Sequence, residues 1–317
     1  MIGTSECRTF LLWFLSVIAL SIGRAPGGYS QGQSTPRFDG QRAYEYLVEQ
    51  CNFGPRNPGS EGHRRAKGYL LETLGQYAPS VTQQPFTHYD RKAQQVYHMA
   101  NIMACFGPTR KRRILLAAHW DTRPYAERDP DPQNWNRPIL GANDGASAVA
   151  VLLELARCFK AVEPEVGVDI VLFDGEDFGE KGHSEDYLLG SKHFAHYEGD
   201  YNPEFGILLD MVGDQDLVLY AEGYSVRYAP EVVDMVWGTA EAMGLVQFQR
   251  EVKYTVEDDH LSLIAAGMRC IDIIDFDYPF WHTVEDTPDK CSPESLQTIG
   301  DLLIEVIYNR LNRSGSE

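Results

Sequence analysis

The sequence predicts a single α/β domain in which a mixed, mostly parallel central sheet is flanked on both faces by helices. Apolar, strand-like runs alternate with amphipathic helical patterns along most of the chain, and this alternation is typical of a parallel sheet covered on both sides. The chain has 317 residues, of which 43% are hydrophobic, so it can bury one large core. No internal repeat and no change in composition divides it, which favours one α/β/α sandwich.

The N-terminal segment has the pattern of an export signal. Arg8 precedes an apolar run over residues 10–22, and small residues that suit cleavage follow at Gly23 and Ala25. The run is short for a bilayer span, and a short membrane anchor is the alternative. We therefore expect an exported protein, periplasmic or secreted, without stable membrane insertion. The predicted organisation is a signal peptide over 1–25, a Gly-, Ser-, Gln- and Pro-rich linker over 26–37 and a folded domain over 38–313.

Two helices are expected at the start of the domain. Asp39 can cap the first, which continues to about Glu49, and Ser60 can cap the second, over residues 61–77. Three strands follow, and the third has the apolar character of a buried central strand. The predicted strands are 81–89, 97–106 and 113–119.

Strands and helices alternate through the rest of the chain. Two polar stretches, 124–138 and 178–188, are expected to be long loops, and long ordered loops in compact domains are often functional. Ser292 can cap the last helix, with Pro293 at its first position. The remaining predicted strands are 168–174, 205–211, 217–221 and 268–274, and the predicted helices are 145–161, 190–196, 230–243, 259–266 and 293–311.

Charge and cysteine content exclude several classes of protein. The formal net charge of -18 should repel phosphate backbones, so we expect no nucleic-acid partner. Five cysteines follow the signal segment, and none has CxxC or CxxH spacing, which removes zinc-finger and thioredoxin-like interpretations. Export permits a disulfide, but the sequence cannot pair these residues, and we expect most to be buried and free.

Acidic and imidazole side chains lie at or after the ends of several predicted strands. Parallel strands direct their carboxyl ends to one crevice, where ligands bind. Catalytic zinc takes imidazole and carboxylate ligands and keeps one position open. The sequence therefore predicts a metal pocket, and its candidate residues are His119, Asp121, Asp144, Glu176, Asp177, Asp210 and His282.

Each candidate also has a simpler interpretation. Asp144 enters a predicted helix, where an aspartate is often only an N-cap. Glu176 and Asp177 could form an exposed acidic turn, but adjacent carboxylates repel one another unless a cation or a proton intervenes. One of them can then bind metal while the other, with a raised pKa, transfers protons. His282 could be structural. It is the joint occurrence of all these residues in this order that favours a metal site.

These residues carry a family resemblance. The succession of His119-Trp120-Asp121, Gly141-Ala142-Asn143-Asp144, Gly175-Glu176-Asp177, Leu209-Asp210 and His282 resembles the M28 zinc aminopeptidase-like family, which also contains the glutaminyl cyclases (glutaminyl-peptide cyclotransferases). The resemblance spans about residues 54–308. Longer flanking strings resemble the cyclase branch, namely Arg56-Asn57-Pro58-Gly59-Ser60, Asn134-Trp135-Asn136-Arg137, residues 186–193, Glu257-Asp258-Asp259-His260 and the Trp281 that precedes His282.

The chain departs from the vertebrate secreted cyclases at two places. Those enzymes have Glu-Glu where this chain has Glu176-Asp177, and a cysteine where this chain has Ala118. Aspartate remains a hard oxygen ligand on a shorter side chain. The resemblance is closer to exported bacterial members.

The resemblance implies one zinc ion held by Asp144, Asp177 and His282. It implies peptide and protein substrates that begin with glutamine, whose α-amine attacks the side-chain amide to give pyroglutamate and ammonia. Glu176 would transfer the proton, Asp210 and Asp258 would accept hydrogen bonds around its path, and Trp281 would form an apolar wall beside the glutamine. A monomer is expected. Residues His119 and Asp121 would orient the ligands.

Two alternatives come from other classes of function. A two-zinc aminopeptidase of the same family would use a second zinc held with His119 and Asp210. A receptor-like ectodomain would keep the fold without catalysis, although the intact Glu176 and the intact ligand set argue against it.

Overall fold

The computed structural model describes residues 35–180, 182–197 and 201–311. The predicted signal peptide, the linker up to residue 34 and residues 312–313 of the predicted domain lie outside the described residues. Within the described ranges, no helix has both the length and the apolar character that crossing a bilayer requires.

A six-stranded mixed sheet forms the centre of the fold. The strands of the protein are β1 Ser80–Asp90, β2 Gln95–Phe106, β3 Arg113–His119, β4 Gly167–Phe173, β5 Gly206–Asp210, β6 Leu219–Ala221, β7 Phe248–Val252 and β8 Cys270–Ile274. The order in the sheet is β1-β2-β4-β3-β5-β8, and β6 pairs with β7 in a separate two-stranded sheet. The neighbours β4, β3, β5 and β8 are parallel, whereas β1 and β2 extend the sheet in antiparallel fashion. The predicted mixed, mostly parallel sheet is confirmed.

Helices cover both faces of this sheet. They are α1 Gly40–Asn52, α2 Glu61–Tyr77, α3 Ala148–Ala161, α4 Leu189–Tyr197, α5 Gly223–Tyr228, α6 Pro230–Met243, α7 Asp259–Ala265 and α8 Pro293–Glu305. Residues of α1, α2, α3, α6 and α8 share one core with Ile114 and Leu116 of β3. Residues of α4 and α7 share a second core with Leu115 and Ala117. Because successive residues of β3 face opposite layers, the strand is apolar throughout.

The predicted helix caps form as the sequence indicates. The Asp39 side chain accepts from the Arg42 N–H, Ser60 from the His63 N–H and Ser292 from the Ser295 N–H. Each cap satisfies a backbone donor that the helix itself leaves unpaired. Beyond α8 the helix continues as a wider π-type turn over Val306–Arg310, so the predicted end near residue 311 is confirmed.

Three features differ from the prediction. The helix expected from residue 145 starts instead as a π-type turn, Ala142–Ser147, with Asp144 in a non-helical conformation, and α3 itself begins at Ala148. Helix α5 and strand β7 were not predicted. The expectation for the cysteines is confirmed, because all five in the described residues are free and four of them are buried.

Candidate metal centre and active site

The predicted site residues meet at the carboxyl edge of the sheet. His119 is the last residue of β3, and Asp210 is the last of β5. Asp177 follows β4 after a short turn, and His282 follows β8. Because β3, β4, β5 and β8 are parallel, their ends converge on one crevice, as expected.

One group within the crevice has the composition of a catalytic zinc site. The His282 Nε2 atom lies 3.4 Å from Asp177 Oδ2 and 3.7 Å from Asp144 Oδ2. All three residues are buried, and neither of these carboxylate oxygens has a hydrogen-bond partner in the structure. Buried oxygens without partners are costly unless an ion or water satisfies them. Two such oxygens beside an imidazole nitrogen match the ligands that zinc prefers.

A second group shares one of these residues. His119 Nε2 lies 3.2 Å from Asp144 Oδ1 and 3.2 Å from Asp210 Oδ1. Asp144 therefore presents one oxygen to each group, which is the position of a bridging carboxylate. The ligand set of the two-metal alternative is thus brought together as well.

The π-type turn sets the position of Asp144. The Asp286 carboxylate accepts the N–H of Asn143 at 2.8 Å and that of Asp144 at 3.2 Å. The preceding Gly141 has φ +64, in the left-handed region that favours glycine. A Cβ at Gly145 would lie 2.5 Å from His119 Nε2, so only glycine lets the turn approach the imidazole this closely. The Asp144–Gly145 peptide bond is cis.

Asp121 holds the backbone of the adjacent pair Glu176-Asp177. Its side chain accepts the Glu176 N–H at 3.1 Å and the Asp177 N–H at 3.3 Å. Burial, together with the negative charge of Asp177, raises the pKa of Glu176 well above its usual value. Burial would also raise the pKa of Asp177, but the charges of His282 and Arg123 outweigh it and bring that pKa to about 2. The pKa values of the two carboxyl groups are thus shifted in opposite directions. The shift favours the neutral form of Glu176 and the ionised form of Asp177.

Sequence reasoning missed two charged residues of the site. The buried Arg123 donates to Asp177 Oδ1 at 2.8 Å and to both Glu127 carboxylate oxygens at 2.8 Å. Glu127 in turn lies 2.9 Å from His282 Nδ1. Glu127 belongs to the polar stretch 124–138, and Arg123 immediately precedes it. The length of that loop was the only signal available.

A cavity of about 110 Å³ borders the two groups of potential metal ligands. Its wall combines carboxyl groups with apolar and aromatic side chains. It is lined by Asp144, Glu176, Asp177, Tyr187, Asp210, Met211, Val256, Glu257, Asp258, Ile274, Phe276, Trp281 and His282. Five of the seven candidates named from the strand ends are among them, namely Asp144, Glu176, Asp177, Asp210 and His282, and so are Asp258 and Trp281, which the resemblance implied.

Asp258 lines this cavity and also belongs to a cluster of buried, mostly acidic residues. Burial and the negative charge of Asp210 raise the pKa of Asp258 to about 7. Its Oδ2 atom has no hydrogen-bond partner in the structure, and neither has either carboxylate oxygen of Asp272 or either ring nitrogen of His260. We define Asp258, Asp259, His260 and Asp272 as the buried acidic cluster.

Comparison with known proteins identifies the family. Residues 101–307, more than half of the chain, match the model of peptidase family M28. The chain belongs to peptidase family M28.

Solved structures similar to this M28 protein have two kinds of name. A glutaminyl cyclase from Bacteroides thetaiotaomicron, bound to N-acetylhistamine, is 40% identical with a TM-score of 0.82, over 87% of this chain and 99% of that one. A leucine aminopeptidase precursor from the same species is 41% identical with a TM-score of 0.83, over the same shares. The glutaminyl-peptide cyclotransferase of Bos taurus is 24% identical over 78% of this chain and 76% of that protein. The similarity establishes the family and the fold. Whether the chain is a cyclase or an aminopeptidase has to be inferred from the chemistry of its site.

Proposed function

We propose that this M28 protein is a zinc-dependent glutaminyl cyclase. It would convert the N-terminal glutamine of peptides and proteins into pyroglutamate and release ammonia. The observation that carries the proposal is the composition of the cavity at the sheet edge, which combines the Asp144–Asp177–His282 group, the carboxyl group of Glu176 and the ring of Trp281. The resemblance of several bacterial glutaminyl cyclases over most of the chain supports it.

The residues of the cavity can carry each step of this reaction. Zinc held by Asp144, Asp177 and His282 would polarise the side-chain amide carbonyl of the substrate and stabilise negative charge on its oxygen. Glu176 takes a proton from the α-amine as the new N–C bond forms and delivers it to the amide nitrogen as the C–N bond breaks. Its raised pKa suits a group that must both accept and return a proton near neutral pH. No water is consumed.

The remaining side chains orient the glutamine. Asp210 and Asp258 border the cavity with carboxylate oxygens that can accept N–H groups of the amine and the amide. Trp281 packs on Phe276 with ring centroids 5.0 Å apart, which holds its indole as a flat apolar wall. The pocket would thus take the aliphatic part of the side chain against the ring and the polar part toward the metal.

Ammonia release tests the proposal directly. The purified protein, loaded with one equivalent of zinc, should release ammonia from a Gln-Phe dipeptide. Chelation should abolish the release, and zinc should restore it. A fully metallated protein that releases no ammonia from such peptides would exclude the cyclase.

The second candidate is a two-zinc aminopeptidase. It is favoured by one observation, the 3.2 Å distances that place His119, Asp144 and Asp210 around a second potential ion position. Glutaminyl-β-naphthylamide separates the two, because the cyclase would release ammonia and the peptidase would release naphthylamine. Leucyl-β-naphthylamide is the matched control, since only a peptidase can turn it over. The metal content should be one zinc per chain for the cyclase and two for the peptidase.

We also propose that the protein acts outside the cytoplasm as a monomer, on substrates with N-terminal glutamine. The signal-like sequence supports export. The formal net charge of -18 argues against nucleic-acid partners. Cell fractionation and light scattering would test these points.

A further inference from the structure

We infer that Arg123 and Glu127 are positioning residues that together orient two of the proposed zinc ligands. The inference rests on the metal site of the proposed function. It assigns to one guanidinium group the task of holding Asp177 directly and His282 through Glu127. We call the pair Arg123 and Glu127 the ligand clamp.

Arg123 holds Asp177 through one of its two carboxylate oxygens. Arg123 Nη1 donates to Asp177 Oδ1 at 2.8 Å, while Asp177 Oδ2 has no hydrogen-bond partner among the described residues and faces His282 Nε2 at 3.4 Å. The guanidinium therefore occupies one oxygen and leaves the other for the metal. Only 2% of the Arg123 side chain is exposed, so water does not compete for this bond.

Glu127 contacts the Nδ1 atom of His282. A histidine that binds metal through one nitrogen usually donates its other N–H to a carboxylate or a carbonyl, which fixes the tautomer and the orientation of the ring. Glu127 Oε1 lies 2.9 Å from His282 Nδ1. With the proton on Nδ1, the lone pair on Nε2 is directed to the side where Asp144 and Asp177 lie.

Arg123 also links these two contacts, because it binds Glu127. Arg123 Nε lies 2.8 Å from both oxygens of Glu127, so the carboxylate that holds His282 is itself held by the guanidinium. Further donors of Arg123 reach the Gly179 carbonyl at 3.0 Å and the Tyr187 hydroxyl at 2.9 Å. A planar fork of five donors can make these bonds at once, whereas a lysine ammonium at the end of a flexible stem cannot.

Zinc affinity measured without turnover tests the clamp. The variants are Glu127→Gln and Arg123→Lys, and the exposed Glu185→Gln and Arg137→Lys in the two neighbouring loops are matched controls. Metal-free protein is titrated with zinc against a chromogenic chelator of known affinity, and the melting temperature of each metal-free variant is recorded. Loss of such an outer contact typically weakens metal binding by about 10–100-fold.

We expect both clamp variants to lose zinc affinity by that factor. The metal-free melting temperature of Glu127→Gln should stay within about 2 °C of the wild type, whereas Arg123→Lys, which breaks a buried network, should also lower it. The double variant should lose less than the product of the two single losses, because Arg123 acts on His282 through Glu127. The controls should bind zinc like the wild type.

Two results would overturn the inference. One is an affinity within threefold of the wild type in Glu127→Gln. The other is a loss of affinity in Glu127→Gln that is matched by a fall in its metal-free melting temperature, which would make Glu127 a support of the fold instead. If Arg123→Lys does not fold, Glu127→Gln alone decides. A wild-type protein that binds zinc but releases no ammonia would defeat the cyclase proposal and leave the clamp standing.

Discussion

At the scale of single residues, Glu176 and Asp177 show how neighbours with the same chemistry acquire different tasks. Asp177 is held ionised by His282 and Arg123, with a pKa of about 2. Burial and the negative charge of Asp177 raise the pKa of Glu176, and the charge of His119 opposes this shift only in part. The chain therefore provides an ionised carboxylate that suits a metal ligand and, at the preceding position, a carboxyl group that can exchange a proton.

Replacing Glu176 with Gln should separate metal binding from turnover. The amide has nearly the same shape but cannot carry a proton between the amine and the leaving group. We expect ammonia release to fall by about 10²–10⁴-fold, while zinc content, measured by atomic emission, stays at the wild-type level. Glu185→Gln, exposed in the same loop, is the control and should remain active. Normal activity in Glu176→Gln would refute the assigned role.

At the scale of secondary-structure elements, the sequence predicted those helices and strands whose bounds depend on residues close in the chain. The Ser60 cap and the continuous apolar run of β3 led to the bounds Glu61–Tyr77 and Arg113–His119, which the structure reproduces. The π-type turn before α3 was missed because its geometry depends on Asp286, about 140 residues away in the chain. Strand β7 was missed because most of it is exposed and polar, so it lacks an alternating apolar pattern.

The same distinction applies to the site. Its carboxylates and imidazoles could be found because they lie at or after the ends of apolar strands. The clamp could not, since its contacts join loops that are distant in sequence, 54 residues apart for Arg123 and Asp177 and 155 for Glu127 and His282. No local pattern encodes which arginine of a loop will reach a ligand.

The π-type turn should not tolerate a side chain at Gly145. A Cβ there would lie 2.5 Å from His119 Nε2 and 2.6 Å from the His119 carbonyl oxygen, and the backbone atom cannot move aside easily. We expect Gly145→Ala to lower the free energy of unfolding by about 1–3 kcal/mol and to abolish ammonia release. Gly68→Ala is the matched control, because a Cβ there meets nothing within 4 Å inside helix α2. It should stabilise the protein by about 0.5–1 kcal/mol in denaturant unfolding, and equal behaviour of the two variants would contradict this account.

The buried acidic cluster between α7 and β8 should make stability depend on pH. Burial, with Asp258 nearby, raises the pKa of Asp272, and the pKa of Asp258 is about 7. A carboxyl group with a raised pKa binds its proton more tightly in the folded chain than in the unfolded one. Its stabilising effect is therefore complete below the unfolded pKa of about 4 and is lost as the pH rises toward the folded value.

Replacing Asp272 with Asn should weaken that dependence. The amide cannot ionise, and its NH₂ group can donate to Asp258 Oδ2, which has no partner in the structure. We expect the free energy of unfolding to fall less between pH 5 and pH 8 in Asp272→Asn than in the wild type, as measured by urea denaturation. Asp234→Asn, on the exposed face of α6, should follow the wild type. A steeper fall in Asp272→Asn would show that its carboxylate is stabilised in the fold.

At the scale of the whole molecule, the sheet brings together groups that are far apart in the sequence. Asp144, Asp177 and His282 lie in three separate connections, each at the carboxyl edge of a parallel strand. The same convergence gathers negative charge in a protein whose formal net charge is -18. A divalent cation bound there relieves the repulsion between carboxylates and links three parts of the fold, whereas the unfolded chain has no such site.

Removing zinc should therefore lower the melting temperature of the whole domain. A ligand that binds only the folded state at 100 times its dissociation constant adds about 2.7 kcal/mol, which corresponds to roughly 5 °C or more for a domain of this size. We expect dialysis against a chelator to lower the melting temperature by that amount and zinc to restore it, as followed by circular dichroism. The chelator should have little effect on a His282→Ala variant, which lacks one of the three ligands. An unchanged melting temperature after verified metal removal would mean that the three side chains do not share an ion, because an ion bound only by the folded chain must stabilise it.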